Sequence, residues 1–329
     1  MDKTFIVAEA GNNHEGNFQN AIKLINAASK AGADAIKFQT FKSHLFLDKK
    51  HSKYEMYKSF ELTEQEFEKL SDYSKSKKIE FFSTPLDIPS AIFLNRIQKK
   101  FKISSGDINF YPLISKVASF KKKLIISTGA SQLSEIKDAV KVIKKKWKNA
   151  FSEKNLSILH CISEYPAELN NINLNTINFL KKIFPNQTIG FSDHTDGLDA
   201  SIYARCAGAE IIEKHFTLDN NFSKFRDHKL SLNPKNLGLF VKKIRYLDKV
   251  FGEKKKIILS NEKKNLRFLR RKIYIISNLK KSKKIKAKDI LYIRSNTGVY
   301  SSVESKIIGK KTKASIKKGF LKIKDIKKI

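Results

Sequence analysis

Residues 188–195 read TIGFSDHT, and residues 210–218 read EIIEKHFTL. Each stretch is a short apolar run that ends in a cluster of polar groups, and each cluster contains one histidine, His194 or His215. A single histidine at the end of a strand is more often a hydrogen-bonded structural residue than a ligand. The pair becomes informative if the fold brings the ends of these two strands side by side.

Six further apolar runs precede these two along the chain. They are FIVAEAG (5–11), AIKFQTF (35–41), EFFSTP (80–85), FKISSGD (101–107), LIISTG (124–129) and LSILHCIS (156–163). The segments between them have helical periodicity, as in Leu133, Ile136, Val140 and Ile143. Short apolar strands that alternate with amphipathic helices indicate parallel pairing. Eight such repeats within about 250 residues predict an α/β fold, the (β/α)8 TIM barrel.

In this barrel the active site forms at the carboxyl ends of the strands. Lys37 and Gln39 share one face of the second strand, and Lys102 lies within the fourth. A lysine that points into a barrel needs a counter-anion, which a substrate phosphate or carboxylate would supply. His194 and His215 end neighbouring strands, and two imidazoles suit a labile divalent cation. The residues alone therefore predict a metal-assisted enzyme that acts on an anionic, phosphorylated small molecule.

The composition is that of a globular protein, which we expect to be cytoplasmic. The chain has 329 residues, of which 41% are hydrophobic. No run approaches the roughly 18 apolar residues that span a bilayer. The apolar run at the start of the sequence is too short for a signal peptide. Cys161 and Cys206 lack metal-site spacing, so we predict two reduced thiols.

The net charge of +34 comes from lysines that are scattered through every segment. No motif for nucleic-acid recognition accompanies them, so we attribute the charge mainly to compositional bias and expect no specific nucleic-acid or membrane partner. A positive field would still help to gather phosphorylated substrates.

Eight motifs, read in order, resemble the sialic acid synthase family, whose members are also called nonulosonate synthases. The motifs are VAEAGNNHEGN, IKFQTF, FFSTP, KISSGD, ISTG, LHC followed by EYP, GFSDHT and EKHFTLD. The resemblance covers almost the whole chain. It implies a barrel domain over residues 1–259, a linker over 260–271, and a small, mostly β antifreeze-like (SAF) domain over 272–329.

The resemblance implies that phosphoenolpyruvate condenses with the open-chain aldehyde of an N-acylated mannosamine-type sugar. The products would be phosphate and a nine-carbon 2-keto acid, N-acetylneuraminate or N,N'-diacetyllegionaminate, with Mn²⁺ or Mg²⁺ as the cofactor. The implied metal ligands are His194 and His215. The implied phosphoenolpyruvate contacts are Lys37, Thr84, Lys102, Ser105, Ser127, Ser163 and Ser192. The implied sugar contacts are Gln39, Asp107, Tyr165, Asp227 and Arg294.

Lys37, Asp107 and Glu15 are the candidates for catalysis. Glu15 would handle a proton or orient water, although a loop or helix-capping carboxylate explains it equally well. Arg294 would act across a homodimer in which the SAF domain of one subunit reaches over the barrel of the other.

Four departures from the family pattern concern the substrate contacts. SGD stands in place of SGE at Asp107, and Ser163 stands where some members have asparagine. SKFRDH (223–228) replaces PGPDH and adds Arg226, and RSNTG (294–298) replaces RPGNG. Most of these departures lie on the sugar side, so the acceptor sugar is the least determined part of the assignment.

Two other functions remain open. One is a related phosphoenolpyruvate-dependent aldolase that acts on a phosphorylated sugar, which the added SAF domain disfavours. The other is a catalytically silent basic binding protein, which the intact set of strand-end residues disfavours.

Residues 42–62 are long for a βα loop. Their aromatic residues, Phe46, Tyr54, Tyr57 and Phe60, predict a lid over the site. The alternative is a solvent-exposed insertion.

Overall fold

A computed structural model describes residues 3–148, 153–253 and 255–329. The chain divides into two compact units, residues 1–253 and residues 254–329. The predicted barrel range 1–259 includes residues 1, 2, 149–152 and 254, which lie outside the described residues. The eight parallel strands of the predicted barrel are all present in the first unit. They are β1 (Phe5–Gly11), β2 (Ala35–Thr40), β3 (Glu80–Pro85), β4 (Lys100–Ile103), β5 (Lys123–Ser127), β6 (Leu156–Cys161), β7 (Thr188–Asp193) and β8 (Ile211–His215).

The hydrogen-bonded order of the sheet is β3-β2-β1-β8-β7-β6-β5-β4, so β3 and β4 stand at its two ends. The buried side chain of Gln98, just before β4, bridges to β3. Its Oε1 accepts from the Ser83 N–H at 2.7 Å, and its Nε2 donates to the Ser83 carbonyl at 3.1 Å. A side-chain amide thus joins the two end strands and completes the predicted barrel.

Helices follow the strands of this sheet, and the longer ones, such as α1 and α7, bury their apolar faces against it. They are α1 (Phe18–Ala31), α2 (Ser43–Phe46), α3 (Tyr54–Phe60), α4 (Glu64–Ser76), α5 (Ile88–Ile97), α6 (Tyr111–Ser119), α7 (Leu133–Trp147), α8 (Asn175–Ile183), α9 (Asp199–Cys206), α10 (Arg226–Leu230) and α11 (Pro234–Phe251). Local sequence sets several helix ends. Asn17 caps α1, where it accepts from the Asn20 N–H, and Gly32 ends that helix at φ +85°. None of the described helices is long and apolar enough to cross a membrane.

A small apolar cluster fills the barrel interior below the site. Its buried members are Val7, Ala35, Phe82, Ile125, Leu159 and Ile211. Because side chains alternate along a strand, the residues two positions later face the same interior. Those residues are Glu9, Lys37, Thr84, Ser127, Cys161 and Glu213. The strands therefore place a polar layer on an apolar floor.

The second unit contains a three-stranded antiparallel sheet in the order β10-β9-β11. Its elements are α12 (Ser260–Leu269), β9 (Arg271–Ile275), β10 (Ile290–Arg294), β11 (Gly319–Phe320) and α13 (Ile323–Ile326). It has a hydrophobic cluster of its own, which includes Ile273, Ile285 and Ile307. The residues predicted as a linker, 260–271, are largely the helix α12. The prediction of a small β domain after the barrel is confirmed, whereas its assignment as a SAF domain stays a prediction.

Candidate functional site

A cavity of about 340 Å³ lies at the carboxyl ends of the barrel strands. Every predicted site residue except Glu15 and Arg294 lines it. These lining residues are Lys37, Gln39, Thr84, Lys102, Ser105, Asp107, Ser127, Ser163, Tyr165, Ser192, His194, His215 and Asp227. These residues come from seven of the eight strands or the loops that follow them, and Glu9 adds β1 to the cavity lining.

A buried network of charges forms the floor of this cavity. The Lys37 Nζ lies 2.7 Å from Glu9 Oε2 and 3.7 Å from Glu213 Oε1, and the Lys102 Nζ lies 2.7 Å from the same Glu213 oxygen. Ser192 also donates to Glu213 Oε1, at 3.0 Å. We expected a substrate anion to compensate these lysines, but two glutamates of the chain already do so. A bound anion would therefore join a network in which each lysine already has a carboxylate beside it.

The network shifts the pKa values of its two carboxylates in opposite directions. Burial alone would raise the pKa of Glu213, but Lys102 and Lys37 outweigh it and lower that pKa to about 2. Burial raises the pKa of Glu9 to about 7, against the opposing effect of Lys37 and with a further contribution from the Glu213 carboxylate. The two lysines therefore favour the ionised form of Glu213, whereas burial favours the protonated form of Glu9.

Glu213 is the important side chain that our reading of the sequence did not identify. Its position in the sequence could have identified it. Glu213 lies two residues before His215 on the same strand, so its side chain faces the barrel interior as His215 does.

Hydroxyl groups surround the position of Gly129, at the end of β5. The Gly129 N–H donates to Ser105 Oγ at 2.9 Å. A Cβ at this glycine would lie 2.3 Å from Ser163 Oγ and 2.9 Å from Ser105 Oγ. The buried hydroxyl of Ser127 has no hydrogen-bond partner among the described residues. These hydroxyls and the two lysines together suit the oxygens of a phosphate or carboxylate.

The two histidines stand next to each other, with ring centroids 5.3 Å apart. His194 Nδ1 lies 2.6 Å from the Ile162 carbonyl. A carbonyl only accepts, so Nδ1 carries the proton and Nε2 keeps a free lone pair. The buried Nδ1 of His215 has no hydrogen-bond partner among the described residues and lies 4.0 Å from Asp227 Oδ2. Burial lowers the pKa of each imidazole to about 3, so both are neutral at ordinary pH.

Neutral imidazoles with available lone pairs fit a divalent cation. Within the described residues, no group of three or more His, Cys, Asp or Glu side chains is arranged to hold a metal ion. The protein would therefore supply two nitrogen ligands, with water or substrate at the remaining positions.

The cavity lining also combines an aromatic ring with polar groups that can bind a sugar. The Tyr165 ring stacks on His194 with centroids 4.1 Å apart. Gln39 accepts from Asn12 Nδ2 at 2.8 Å, and Asp107 Oδ2 accepts from Ser104 Oγ at 2.5 Å. Burial raises the pKa of Asp107.

The segment predicted as a lid, residues 42–62, forms α2 and α3. Its aromatic rings pack on one another and on Phe41, which precedes the segment: the Phe46 ring centroid lies 5.5 Å from that of Tyr57 and 5.4 Å from that of Phe41. Phe46 and Tyr57 also line the cavity. The expected packing of aromatic residues beside the site is thus present, while residues 48–53 are exposed, and a lid function of the segment stays a prediction.

Glu15 and Arg294 are not among the residues that line this cavity. Glu15 lines a neighbouring cavity of about 410 Å³. Its Oε1 accepts a hydrogen bond from Ser223 and lies 3.1 Å from His228 Nε2. Arg294 ends β10 of the second unit and is exposed. Neither the proposed proton handling by Glu15 nor contact of Arg294 with a sugar follows from these positions, so both stay predictions.

Comparison with known proteins identifies relatives over nearly the full chain. A family model described as the NeuB family matches residues 24–256. The N,N'-diacetyllegionaminic acid synthase of Campylobacter jejuni is 37% identical over 94% of this chain and 96% of its own. A protein of Methanocaldococcus jannaschii is 41% identical over 95% of this chain and 91% of its own.

A solved structure agrees with this result. The crystal structure of the N-acetylneuraminic acid synthetase of Leptospira borgpetersenii, in complex with citrate, matches with a TM-score of 0.75 and 34% identity. The match covers 81% of this chain and 91% of that one.

Proposed function

The chain belongs to the NeuB family, and from this premise we propose that it is a nonulosonate synthase. It would condense phosphoenolpyruvate with the aldehyde of an N-acylated mannosamine-type sugar. One observation carries the proposal: a lysine and hydroxyl anion cradle and a pair of neutral histidines share one cavity. Such a cavity can hold an anionic donor beside a carbonyl acceptor.

The cradle suits phosphoenolpyruvate because its charge balance favours an anion. Lys37 and Lys102 carry two positive charges when both are protonated, and Glu213 carries one negative charge. When Glu9 holds its proton, the network has a net charge of +1, which attracts a phosphate or carboxylate. The hydroxyls of Ser105, Ser127 and the neighbouring serines would donate to the remaining oxygens.

In the proposed reaction, carbon 3 of phosphoenolpyruvate attacks the aldehyde carbon and water adds at carbon 2. Phosphate then leaves with its C–O bond broken. A Mn²⁺ or Mg²⁺ ion held by His194 and His215 would supply Lewis-acid activation of the aldehyde oxygen. The Ile162 carbonyl orients His194, Tyr165 stacks against that imidazole, and Asp107 would position the sugar.

For the acceptor we propose 2,4-diacetamido-2,4,6-trideoxymannose, which would give N,N'-diacetyllegionaminate. Support comes from the name of the Campylobacter jejuni relative. The apolar groups that line the cavity, Phe46, Tyr57 and Leu86, also suit a deoxygenated, acylated sugar. N-acetylmannosamine, which would give N-acetylneuraminate, is the second candidate. We also propose that the protein works in the cytoplasm as a homodimer with its small domain placed over the other subunit's barrel.

The test is phosphate release from phosphoenolpyruvate with Mn²⁺, with each sugar offered separately and with no-sugar and chelator controls. We expect release with the diacetamido sugar and loss of release with chelator. A phosphorylated sugar that outperforms both would favour the related aldolase. Salt-sensitive nucleic-acid binding without turnover would favour a silent binding protein.

His194→Ala tests the metal site separately. We expect this substitution to abolish metal-dependent phosphate release while the barrel stays folded. It should also weaken Mn²⁺ binding, which the electron paramagnetic resonance signal of unbound Mn²⁺ measures. His44→Ala, which removes an exposed imidazole, is the matched control. Full activity of His194→Ala after metal removal would contradict the ligand assignment.

A further inference from the structure

Phe225 and Arg226, in the loop after β8, connect separate parts of the cavity rim. The Phe225 ring meets Phe60 of the lid edge-on, with centroids 5.2 Å apart. The Arg226 guanidinium lies 4.3 Å from the centre of the Tyr165 ring, and its Nε donates to Asp227 Oδ1 at 3.2 Å. Two adjacent residues thus reach the lid on one side and the β6–α8 loop on the other.

Arg226 differs from the other cationic side chains that line the cavity in the described chain. Lys37 and Lys102 lie on the floor, almost fully buried against Glu9 and Glu213. The Arg226 side chain is 54% exposed, and both the face of Tyr165 and Asp227 restrain it. No hydrogen bond of its two terminal nitrogens is found among the described residues. A restrained guanidinium with donors to spare is suited to bind an oxygen of a ligand.

An apolar surface stands beside this guanidinium. Tyr57 lines the main cavity and, together with Arg226, the neighbouring cavity of about 410 Å³. Burial raises the pKa of Tyr57, the Asp227 carboxylate raises it further, and Arg226 opposes both, which agrees with the proximity of these three groups. Donors next to an apolar wall match an amide of the acetyl type, which has a carbonyl oxygen and a methyl group.

The charges on this side do not favour a phosphate. Asp227 compensates Arg226, and Asp107 adds a second carboxylate to the lining of the cavity. The rim therefore presents directed hydrogen-bond donors and no net positive charge.

From these contacts we infer that Arg226 and Tyr57 form a subsite for the uncharged N-acyl group at carbon 4 of the acceptor sugar. Arg226 is then a specificity-determining residue, which donates to the acyl oxygen while the Tyr57 ring contacts the methyl group. The inference rests on the proposed function, because it assumes that the cavity binds an N-acylated sugar. It explains the replacement of PGPDH by SKFRDH as a change in acceptor recognition.

The test compares wild type, Arg226→Met and Arg226→Lys with two acceptors, in the full-length protein with Mn²⁺. The acceptors are 2,4-diacetamido-2,4,6-trideoxymannose and 2-acetamido-2,6-dideoxymannose, which differ only at carbon 4. We expect Arg226→Met to lower kcat/KM about 10- to 100-fold for the diacetamido sugar, which is the usual effect of losing a charge-assisted hydrogen bond. The loss with the other sugar should be less than about 3-fold, and Arg226→Lys should be intermediate because it lacks the planar fork.

Two readouts separate the subsite from a general defect. The KM for phosphoenolpyruvate should not change in Arg226→Met, because Lys37 and Lys102 hold that substrate. Lys229→Met, which removes an exposed charge from the same helix α10, should behave as wild type. Equal losses with both sugars, or no loss with either, would overturn the inference.

Calorimetric binding of the same sugars distinguishes this inference from the proposed function. Wild type that binds the diacetamido sugar through Arg226 but releases no phosphate would contradict the proposed reaction and support the subsite. Binding that is absent, or that is unchanged in Arg226→Met, would overturn the subsite even if phosphate is released.

Discussion

At the residue scale, Gly129 leaves the space that the hydroxyl groups of the anion cradle occupy, because it has no side chain. A Cβ here would lie 2.3 Å from Ser163 Oγ and 3.2 Å from Cys161 Sγ. Gly129→Ala should therefore displace the hydroxyls of the anion cradle. We expect the KM for phosphoenolpyruvate to rise at least about 10-fold, as for a lost charge-assisted contact, with little change in the KM for the sugar. Steady-state kinetics of phosphate release measure both constants.

Gly238→Ala is the control for this substitution. Gly238 lies within α11, and a Cβ there meets nothing within 4 Å. Alanine should stabilise this helix by about 0.5–1 kcal/mol and leave both KM values unchanged. An unchanged phosphoenolpyruvate KM in Gly129→Ala would show that the cradle does not bind that substrate.

At the scale of elements, a fully buried ion pair joins the ends of β7 and β8. Asp193 and Lys214 are directly opposite in the parallel register, and Lys214 Nζ lies 3.1 Å from Asp193 Oδ2. Lys214→Met would leave the Asp193 carboxylate buried without its cation, at a cost of about 3–5 kcal/mol. The double variant Asp193→Asn, Lys214→Met should recover much of this loss. The free energies of unfolding of both variants can be measured in urea from the fluorescence of Trp147, the single tryptophan. Equal losses in the single and double variants would contradict this account.

A second connection between elements gives a pH dependence. Asp248 of α11 accepts from the Thr4 N–H at 3.0 Å and from Arg205 Nε at 3.0 Å. Burial alone would raise the pKa of Asp248, but hydrogen bonds from the Thr4 hydroxyl, the Thr4 N–H and Arg205, together with the Arg205 charge, outweigh it and lower that pKa. A lowered pKa adds stability above the unfolded value and loses it as pH falls through the folded value. Asp248→Asn should therefore reduce the free energy of unfolding by about 1–2 kcal/mol at pH 7.

Urea unfolding at a series of pH values tests this dependence. The difference between Asp248→Asn and wild type should narrow as pH falls below about 4, where the aspartate becomes protonated in the unfolded chain. A difference that is constant across this range would show that the charge of Asp248 contributes nothing to stability.

At the scale of the whole molecule, the proposed homodimer predicts that two inactive variants restore activity when they are mixed. His194→Ala removes the metal site of one barrel, and Arg294→Ala removes the arginine predicted to act across the dimer. After random exchange of subunits, about half of the dimers contain one subunit of each variant. One of the two sites in such a dimer is complete, so the activity should return to about a quarter of the wild-type activity. Phosphate release after subunit exchange measures it. If activity does not return although mixed dimers form, Arg294 does not act across the dimer.

The sequence alone determined the barrel and most of the residues that line its cavity. Eight apolar runs separated by amphipathic segments allow few other arrangements, since parallel strands need covered faces. The strand ends then had to meet at one edge, which placed His194 beside His215 and Lys37 near Lys102. Each of these residues is recognised from its own strand, and the strand order of the barrel brings them together.

Only the tertiary structure decided which charged side chains pair with one another. Glu213 is adjacent to Lys102 and Lys37 because three strands converge inside the barrel, and no spacing in the chain encodes that contact. In the same way, Arg226 meets Tyr165 across 61 residues of sequence. Charge pairing and ring stacking depend on distances of a few ångströms between distant segments. Periodicity determines the face on which a side chain lies, but packing determines what it touches.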